Sequence, residues 1–436
     1  MSVVAIVGRP NVGKSTLFNS LIGQRRAIVG PERGITRDRL YSRLVMDDGV
    51  EADLVDTGGF DTISDGSFAR SMREQTIQAI EDSDLIVCLF DALTGITPDD
   101  EELVKTLRRS GADVIYVANK VDDPNRAAAS AWLYELGLND FIEISAKKKT
   151  GLGTLIDQIK EYIREHPKES LVEDETDAVR VSILGRPNVG KSLLLNKIIG
   201  ENRAIVSDEA GTTRDYVDIR IIYAGREYVF VDTAGIRRKS RIHDSLERLS
   251  VMRSLQNVNM SHICLLLVDP FEGVTDQDKR LCRIIMDHGR GFMLIVNKSD
   301  LIDAAMREEI RRKIKHDFRF MPDVKVVFIS ALTGKNVARL YPMIDALFEK
   351  TTMDIPTAKL NRIFADILSA NPPPVVKKRQ LKFFYINQVG TVPPKFRIVS
   401  NFPKSVPENY HRYLSHALKK ACGMEGISIK IQFAGK

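Results

Sequence analysis

"GRPNVGKS" stands at residues 8–15, and the same eight residues stand again at 185–192. In both places an apolar run precedes the string and a helix-forming stretch follows, "STLFNSLIG" or "SLLLNKIIG". Strand, glycine loop and helix in that order form the context in which G-x-x-x-x-G-K-[ST] cradles phosphate. Gly8 and Gly13, like Gly185 and Gly190, let the backbone approach an anion closely. Between them Arg9, Pro10, Asn11 and Val12, and again Arg186, Pro187, Asn188 and Val189, make the loop whose N–H groups converge. The helix N-terminus adds a favourable partial charge. Lys14 and Lys191 would neutralise terminal phosphates, and the Ser15 and Ser192 hydroxyls would ligate Mg²⁺.

The duplication extends outward from the loops. "GITRDRLYSRLVMDDGVEADLVDTGGF" at 34–60 is echoed at 211–236, and "SDLIVCLFDALTGITPDDEEL" at 83–103 is echoed at 261–281. "VIYVANKVDD" and "FIEISAKKKTG" have counterparts in "MLIVNKSDLI" and "VVFISALTGKN". A repeat of this length is a duplicated domain rather than a solenoid unit. Within each copy, short apolar runs bounded by turns alternate with helical stretches, which predicts α/β domains with a mostly parallel sheet and helices on both faces. One hairpin per copy interrupts that pattern, with a D-D-G or an A-G turn.

Further motifs narrow the ligand. "DTGG" (Asp56, Thr57, Gly58, Gly59) and "DTAG" (Asp232, Thr233, Ala234, Gly235) end predicted strands, 42 and 41 residues after the loop lysines. An aspartate there suits a magnesium shell, and the glycine N–H suits a γ-phosphate. "NKVD" (Asn119, Lys120, Val121, Asp122) and "NKSD" (Asn297, Lys298, Ser299, Asp300) also end strands. Asp122 and Asp300 can accept from guanine N1–H and its 2-amino group, whereas adenine would leave the carboxylate unpaired. Ser145–Ala146 and Ser330–Ala331 supply a backbone N–H for the guanine O6. Thr36 and Thr213 lie in the "GxTRD" echo, where a threonine can contact both Mg²⁺ and γ-phosphate and order its segment with GTP. For Arg37 and Arg214 a switch role and a surface charge stand equally open. Lys14, Thr36, Lys191 and Thr213 are the candidate catalytic residues.

Charge is distributed unevenly. Residues 351–436 hold 14 Lys+Arg against 4 Asp+Glu, and the first 350 hold 50 against 54, so the whole +6 balance comes from the C-terminal fifth. A small basic domain usually meets phosphate, although a solvated basic face remains the alternative. That region reads α-β-β-α-β, with a helix near 357–369, strands "LKFFYINQV" and "KFRIVSNF", the helix "PENYHRYLSHALKKAC" and a last strand "ISIKIQF". Cys88, Cys264, Cys282 and Cys422 form no C-x-x-C pair, and three lie in apolar segments, as buried free thiols do. The N-terminus shows no signal-peptide pattern and no apolar run reaches 18 residues, so a cytoplasmic chain without membrane spans is expected.

On these residues the chain resembles the Der (EngA) family: two consecutive G domains with identical P-loops, followed by a basic α+β domain. The resemblance covers essentially the whole chain. It implies a Mg²⁺-dependent GTPase that binds the large ribosomal subunit and its rRNA, assists its assembly, and works as a ribosome-associated monomer. The expected division is GTPase domain 1 (1–164), an acidic linker (165–177), GTPase domain 2 (178–350) and a KH-like domain (351–436). Where Ras-like enzymes carry a water-orienting glutamine, Phe60 and Ile236 stand here, as in slow, hydrophobic-substituted GTPases. In potassium-activated relatives an asparagine at the place of Asn11 and Asn188 holds K⁺; a plain turn-forming role competes with that reading. Leu193 and Leu332 replace Thr16 and Lys147 of the first copy without touching the magnesium ligand or the backbone contact. "GMEG" (423–426) fits a KH G-x-x-G but lies between a helix and the final strand, where it is not expected to grip RNA. "KKRQLK" (377–382), Lys419 and Lys420 are better phosphate candidates, with Phe383, Phe384 and Tyr385 read as core strand residues. A GTPase coupled to tRNA modification is the competing function, for which a catalytic cysteine near the C-terminus would speak. A membrane-transport G protein would need apolar spans.

Overall fold

A computed structural model describes the chain apart from residues 25–40, 47–49, 58–76, 78, 123, 168–177, 202–203, 206–217, 234–249, 319–320, 322–323, 377–378 and 436. It resolves into two compact units.

The first unit carries strands β1 (Ser2–Val7), β2 (Tyr41–Val45), β3 (Glu51–Asp56), β4 (Leu85–Asp91), β5 (Val114–Asn119) and β6 (Ile142–Glu143) in one sheet of order β2-β3-β1-β4-β5-β6. Among the described strands of this sheet only the β2–β3 pairing is antiparallel, as the predicted hairpin requires. β1 lies between β3 and β4 and is buried along its whole length, which is why it reads as an unbroken apolar run. Helices α1 (Lys14–Gln24), α2 (Pro98–Ser110) and α3 (Leu152–Glu165) accompany the sheet. Thr97 caps α2, Pro98 begins it, and Gly111 at φ 65° ends it, each at the position its chemistry favours.

The second unit repeats the plan. Strands β7 (Val179–Gly185), β8 (Ala204–Ile205), β9 (Ile219–Tyr223), β10 (Arg226–Phe230), β11 (Ile263–Val268), β12 (Gly291–Val296) and β13 (Lys325–Phe328) lie in the order β13-β12-β11-β7-β10-β9-β8. Among the described residues this is the first sheet's order with one further edge strand, β8, that the sequence pattern does not announce. Ala224 (φ 50°) and Gly225 (φ 84°) turn the β9–β10 hairpin, the two positive angles that a two-residue loop between twisted strands demands. The helices in this copy's sequence are α4 (Lys191–Glu201), α5 (Ser250–Asn259), of which the residues up to Gln256 group with the first unit, α6 (Asp276–Asp287), α7 (Ala304–Asp317) and α8 (Leu340–Thr352).

The C-terminal region runs α9 (Thr357–Ala370), a short ribbon β14 (Val375–Val376) and β15 (Arg379–Gln380), then β16 (Phe383–Thr391), β17 (Pro394–Ser400), α10 (Glu408–Ala421) and β18 (Lys430–Ala434). β16 and β17 are antiparallel and β18 joins β17 in parallel, so the expected α-β-β-α-β order stands, with the ribbon as an addition. This region shares one core with the second copy of the repeated fold: Leu340, Ile344 and Leu347 of α8 are contiguous with Leu360, Phe364, Ile398 and Leu414. Gln388 ties the junction, donating to the Met353 carbonyl (2.8 Å) and accepting from Ile355 N–H (3.0 Å).

One expectation fails here. Phe383 packs against Phe364, Tyr410 and Phe433, as a core residue should. Phe384 and Tyr385 are instead 48% and 49% exposed. The cause is a register shift in the β16–β17 ladder between Phe383 and Tyr385, which breaks the alternation so that two successive side chains face outward before Ile386 returns to the core. Among the described residues, no helix is long and apolar enough to cross a membrane. Cys88, Cys264 and Cys282 are buried as expected, and Cys422 is half-buried.

Candidate functional site

The two glycine loops have the same geometry. Gly8 (φ 151°) and Gly185 (φ 139°) leave β1 and β7 in conformations closed to other residues, and Cβ atoms there would lie 2.4 and 2.5 Å from the Leu89 and Leu267 carbonyl oxygens. Asn11 and Asn188 both adopt φ 63°, a left-handed conformation that asparagine tolerates better than most residues. Lys14 Nζ donates to the Gly8 and Arg9 carbonyls at 2.7 and 3.0 Å, and Lys191 Nζ to those of Gly185 and Arg186 at 2.7 and 2.5 Å. The lysines thus lie across their own loops. Pro10 and Val12, with Pro187 and Val189, complete the turns; Val12 and Val189 are buried beneath them.

The N-K-x-D segments meet the loops from the ends of β5 and β12. Asn119 Nδ2 donates to the Val12 carbonyl (2.8 Å) while its Oδ1 accepts from Ala146 N–H (2.9 Å). Asn297 does the same between Val189 (2.8 Å) and Ala331 (2.9 Å). Each asparagine therefore joins the glycine loop to the Ser-Ala loop. Lys120 bonds the Asn11 carbonyl (2.8 Å) and Asp91 (2.7 Å), and Lys298 pairs with Asp269 (2.5 Å). Asp269 is held below the usual carboxylate range: burial pushes it up, but the Lys298 ammonium and the Phe271 and Glu272 N–H groups outweigh that. Asp122 and Asp300 are exposed, while Val121 is partly covered and Ser299 buried. Ser145 Oγ donates to Asp122 at 2.6 Å and accepts from Lys148 N–H at 3.0 Å; Ser330 Oγ accepts from Thr333 N–H at 3.1 Å.

Asp56 ends β3 beside Ile6 of β1 and is buried, as is Thr57, whose hydroxyl donates to the Ile6 carbonyl at 2.7 Å. Asp232 and Thr233 follow β10 and are also buried, with Asp232 N–H donating to Asp218 at 3.0 Å. Thr36, Gly58, Gly59, Phe60, Thr213, Ala234, Gly235 and Ile236 lie outside the described residues, as do Arg37 and Arg214.

Among the described residues no cluster of three or more His, Cys, Asp or Glu could hold a metal by itself. What each copy offers is one hydroxyl at the first turn of a helix, Ser15 or Ser192, and one carboxylate at a neighbouring strand end, Asp56 or Asp232. An oxygen set this sparse fits Mg²⁺, which keeps waters and shares a nucleotide's phosphates rather than filling an all-protein cage.

Arg9 and Arg186 do not join the loop interior. Arg186 Nε donates to Asp278 at 3.1 and 3.3 Å and its Nη1 to Glu272 at 2.6 Å; Arg9 pairs with Asp100 at 3.3 Å and with the Thr94 hydroxyl. Asp91, Asp100, Asp269, Glu272 and Asp278 are missing from the sequence-derived site. The 83–103/261–281 echo carries the signal for the four aspartates, which recur at matching offsets in "DALTGITPDD" and "DPFEGVTDQD".

A family profile described as "50S ribosome-binding GTPase" matches residues 3–120 and again 180–298. A second, described as "KH-domain-like of EngA bacterial GTPase enzymes, C-terminal", matches 355–434. The GTPase Der of Moorella thermoacetica is 44% identical over 433 residues, covering 99% of this chain and 98% of that protein. The GTPase Der of Syntrophotalea carbinolica is 40% identical over 435 residues, with the same coverages. Among solved structures, Aquifex aeolicus Era aligns with 59% of this chain and 92% of its own at 22% identity and a TM-score of 0.30.

Proposed function

Because the chain belongs to the Der family of GTPases, we propose that it acts as a nucleotide-driven switch on the large ribosomal subunit and assists that subunit's assembly. The proposed division is two GTPase domains (1–164 and 178–350), a 165–177 linker and a KH-like domain (351–436), working as a monomer in the cytoplasm.

In this reading residues 8–15 and 185–192 cradle the phosphates of GTP or GDP, with Lys14 and Lys191 offsetting their charge. Asp122 and Asp300 read the guanine edge, and the backbone of Ser145–Ala146 and Ser330–Ala331 meets its O6. The N–H groups of Gly59 and Gly235 would be offered to the γ-phosphate. Ser15 with Asp56, and Ser192 with Asp232, would hold Mg²⁺, joined by Thr36 and Thr213 in the GTP state. Bound there, Mg²⁺ offsets the negative charge of the β- and γ-phosphates. Phe60 and Ile236 cannot orient water, so K⁺ at Asn11 and Asn188 is proposed to supply the missing charge.

The observation that carries the ribosomal reading is the charge of residues 351–436, where 14 Lys+Arg stand against 4 Asp+Glu, a denser positive balance than either GTPase domain has. RNA affinity belongs where the cations are densest. Burial pushes the Cys422 thiol up, which disfavours the thiolate that the tRNA-modification reading calls for.

Co-sedimentation of the full chain with large subunits in GTP, GDP and a non-hydrolysable analogue tests the proposal. Binding is expected with GTP or the analogue and not with GDP. Neutralising Arg379, Lys382 and Lys420 to Gln, all exposed, should lower the salt dependence of binding by about two in log–log slope. Nucleotide-independent binding, or an unchanged slope, overturns it.

A further inference from the structure

Each phosphate-loop arginine is anchored on the segment that follows the central strand beside it. Asp278 is 0% exposed and sits in the first turn of α6, where it also accepts from Thr275 N–H and Oγ1 at 2.9 Å. Arg186 Nε reaches both oxygens of that carboxylate, its Nη1 takes Glu272 at 2.6 Å, and its Nη2 takes the Gly273 carbonyl at 3.4 Å. The first copy has the same aspartate in the same place: Asp100 is 0% exposed, capped by Thr97, and 3.3 Å from Arg9 Nε. Where the second copy has Glu272, the first has Thr94. The weaker grip leaves Arg9 Nε and Asp100 Oδ1 buried without a hydrogen-bond partner.

We propose that these arginine–aspartate pairs are positioning braces for the phosphate loops, and that Glu272 makes the second domain the slower of the two to release nucleotide. The proposal rests on the reading that both loops bind GTP and GDP. The braced residue supplies one of the two carbonyls that take the loop lysine, and it lies two positions before the asparagine at φ 63°. Fixing its side chain on a buried carboxylate holds the peptide that sets the loop's entry. A loop held in its binding form loses less freedom when nucleotide arrives and opens less often to let it go. With one carboxylate and a hydroxyl, Arg9 can leave its pairing more readily than Arg186, which has two carboxylates and a carbonyl.

The test is release of fluorescent mant-GDP from full-length chains with one site silenced. In a Lys14→Ala chain, Glu272→Ala should speed release from the second site roughly two- to fivefold, the scale of one partly exposed ion pair. In a Lys191→Ala chain, Thr94→Glu should slow release from the first site by a similar factor, a gain that misfolding cannot produce. That slowing should vanish when Arg9→Lys is added, because lysine lacks the second nitrogen needed to hold both partners. Glu272 and Thr94 are surface positions, so melting temperatures should stay put while release rates move. Chains that bind no mant-GDP overturn the loops as nucleotide sites. Chains that bind it and release it at unchanged rates overturn the brace alone.

Discussion

The Asn119 side chain donates to the Val12 carbonyl oxygen at 2.8 Å, spanning from the end of β5 to the phosphate loop. The sequence reading assigns this residue to the base-recognition motif, and the structure gives it a mechanical task as well. A Cβ on Gly13 would lie 2.4 Å from Asn119 Nδ2, and one on Gly190 would lie 2.1 Å from Asn297 Nδ2. The glycine and the asparagine are therefore fitted to each other.

Asn119→Ala should uncouple the loop from the Ser-Ala segment. It leaves the Val12 carbonyl and the Ala146 N–H in buried surroundings, each at a cost of about 1–3 kcal/mol. Nucleotide affinity at the first site should fall by about tenfold or more, the equivalent of 1.4 kcal/mol. Equilibrium titration with mant-GDP in the Lys191→Ala chain measures it; unchanged affinity would show that the tether is idle.

Guanine selectivity should reside in Asp122 and Asp300. Asp122→Asn and Asp300→Asn should each weaken GTP binding at their own site and admit xanthine nucleotides, whose C2 oxygen accepts from an amide. Competition by XTP in singly silenced chains reads the exchange directly, and retained GTP preference would contradict the assignment.

Hydrolysis should be slow in Na⁺ and faster in K⁺. The left-handed φ of Asn11 and Asn188 shows that loop shape alone already favours asparagine, so the ion has to be tested by substitution. Asn11→Ala with Asn188→Ala should remove the stimulation at matched ionic strength. Full stimulation in that variant would mean the asparagines serve only the turn.

The Asp269–Lys298 pair gives a pH signature. The folded-state pKa of Asp269 is lowered, so its contribution is present above the unfolded value of about 3.9 and is lost as pH falls through the folded value. Asp269→Asn should lower the melting temperature at pH 7, and the gap between variant and parent should shrink progressively as pH falls below about 4. A gap that does not shrink on acidification would place the effect in packing rather than charge.

Much of this was legible because it is written locally. A P-loop, a strand-end aspartate and an N-K-x-D are short strings with fixed spacing, and their duplication removed ambiguity. The mostly parallel character of each sheet, with its one hairpin, followed from alternation of apolar runs and helices. What escaped depends on contacts distant in sequence: Arg9 reads as a loop residue until Asp100 is seen beneath it. The outward turn of Phe384 and Tyr385 needs the register of a partner strand. β8 and the β14–β15 ribbon are two residues per strand, too short for any periodicity to register.

The joint between the second GTPase fold and the C-terminal domain turns on Gly289. It follows α6 at φ 68°, a helix-ending glycine whose N–H bonds the Met286 carbonyl at 2.9 Å. A Cβ there would lie 2.3 Å from Pro393 Cβ and 2.6 Å from its Cγ, at the tip of the β16–β17 hairpin. Gly289→Ala therefore carries two costs, about 1–2 kcal/mol for alanine in the left-handed region and a steric push on the hairpin. Gly111 is the control, since it ends α2 at φ 65° with nothing within 4 Å of its Cβ position. Gly111→Ala should loosen only its own helix end. Gly289→Ala should in addition raise amide exchange across β16, β17 and the Gln388 contacts with Met353 and Ile355, while β1 and β3 to β5 keep their protection. Equal, purely local effects from both substitutions would mean that the hairpin tip yields freely and that Pro393 does not help seat the C-terminal domain.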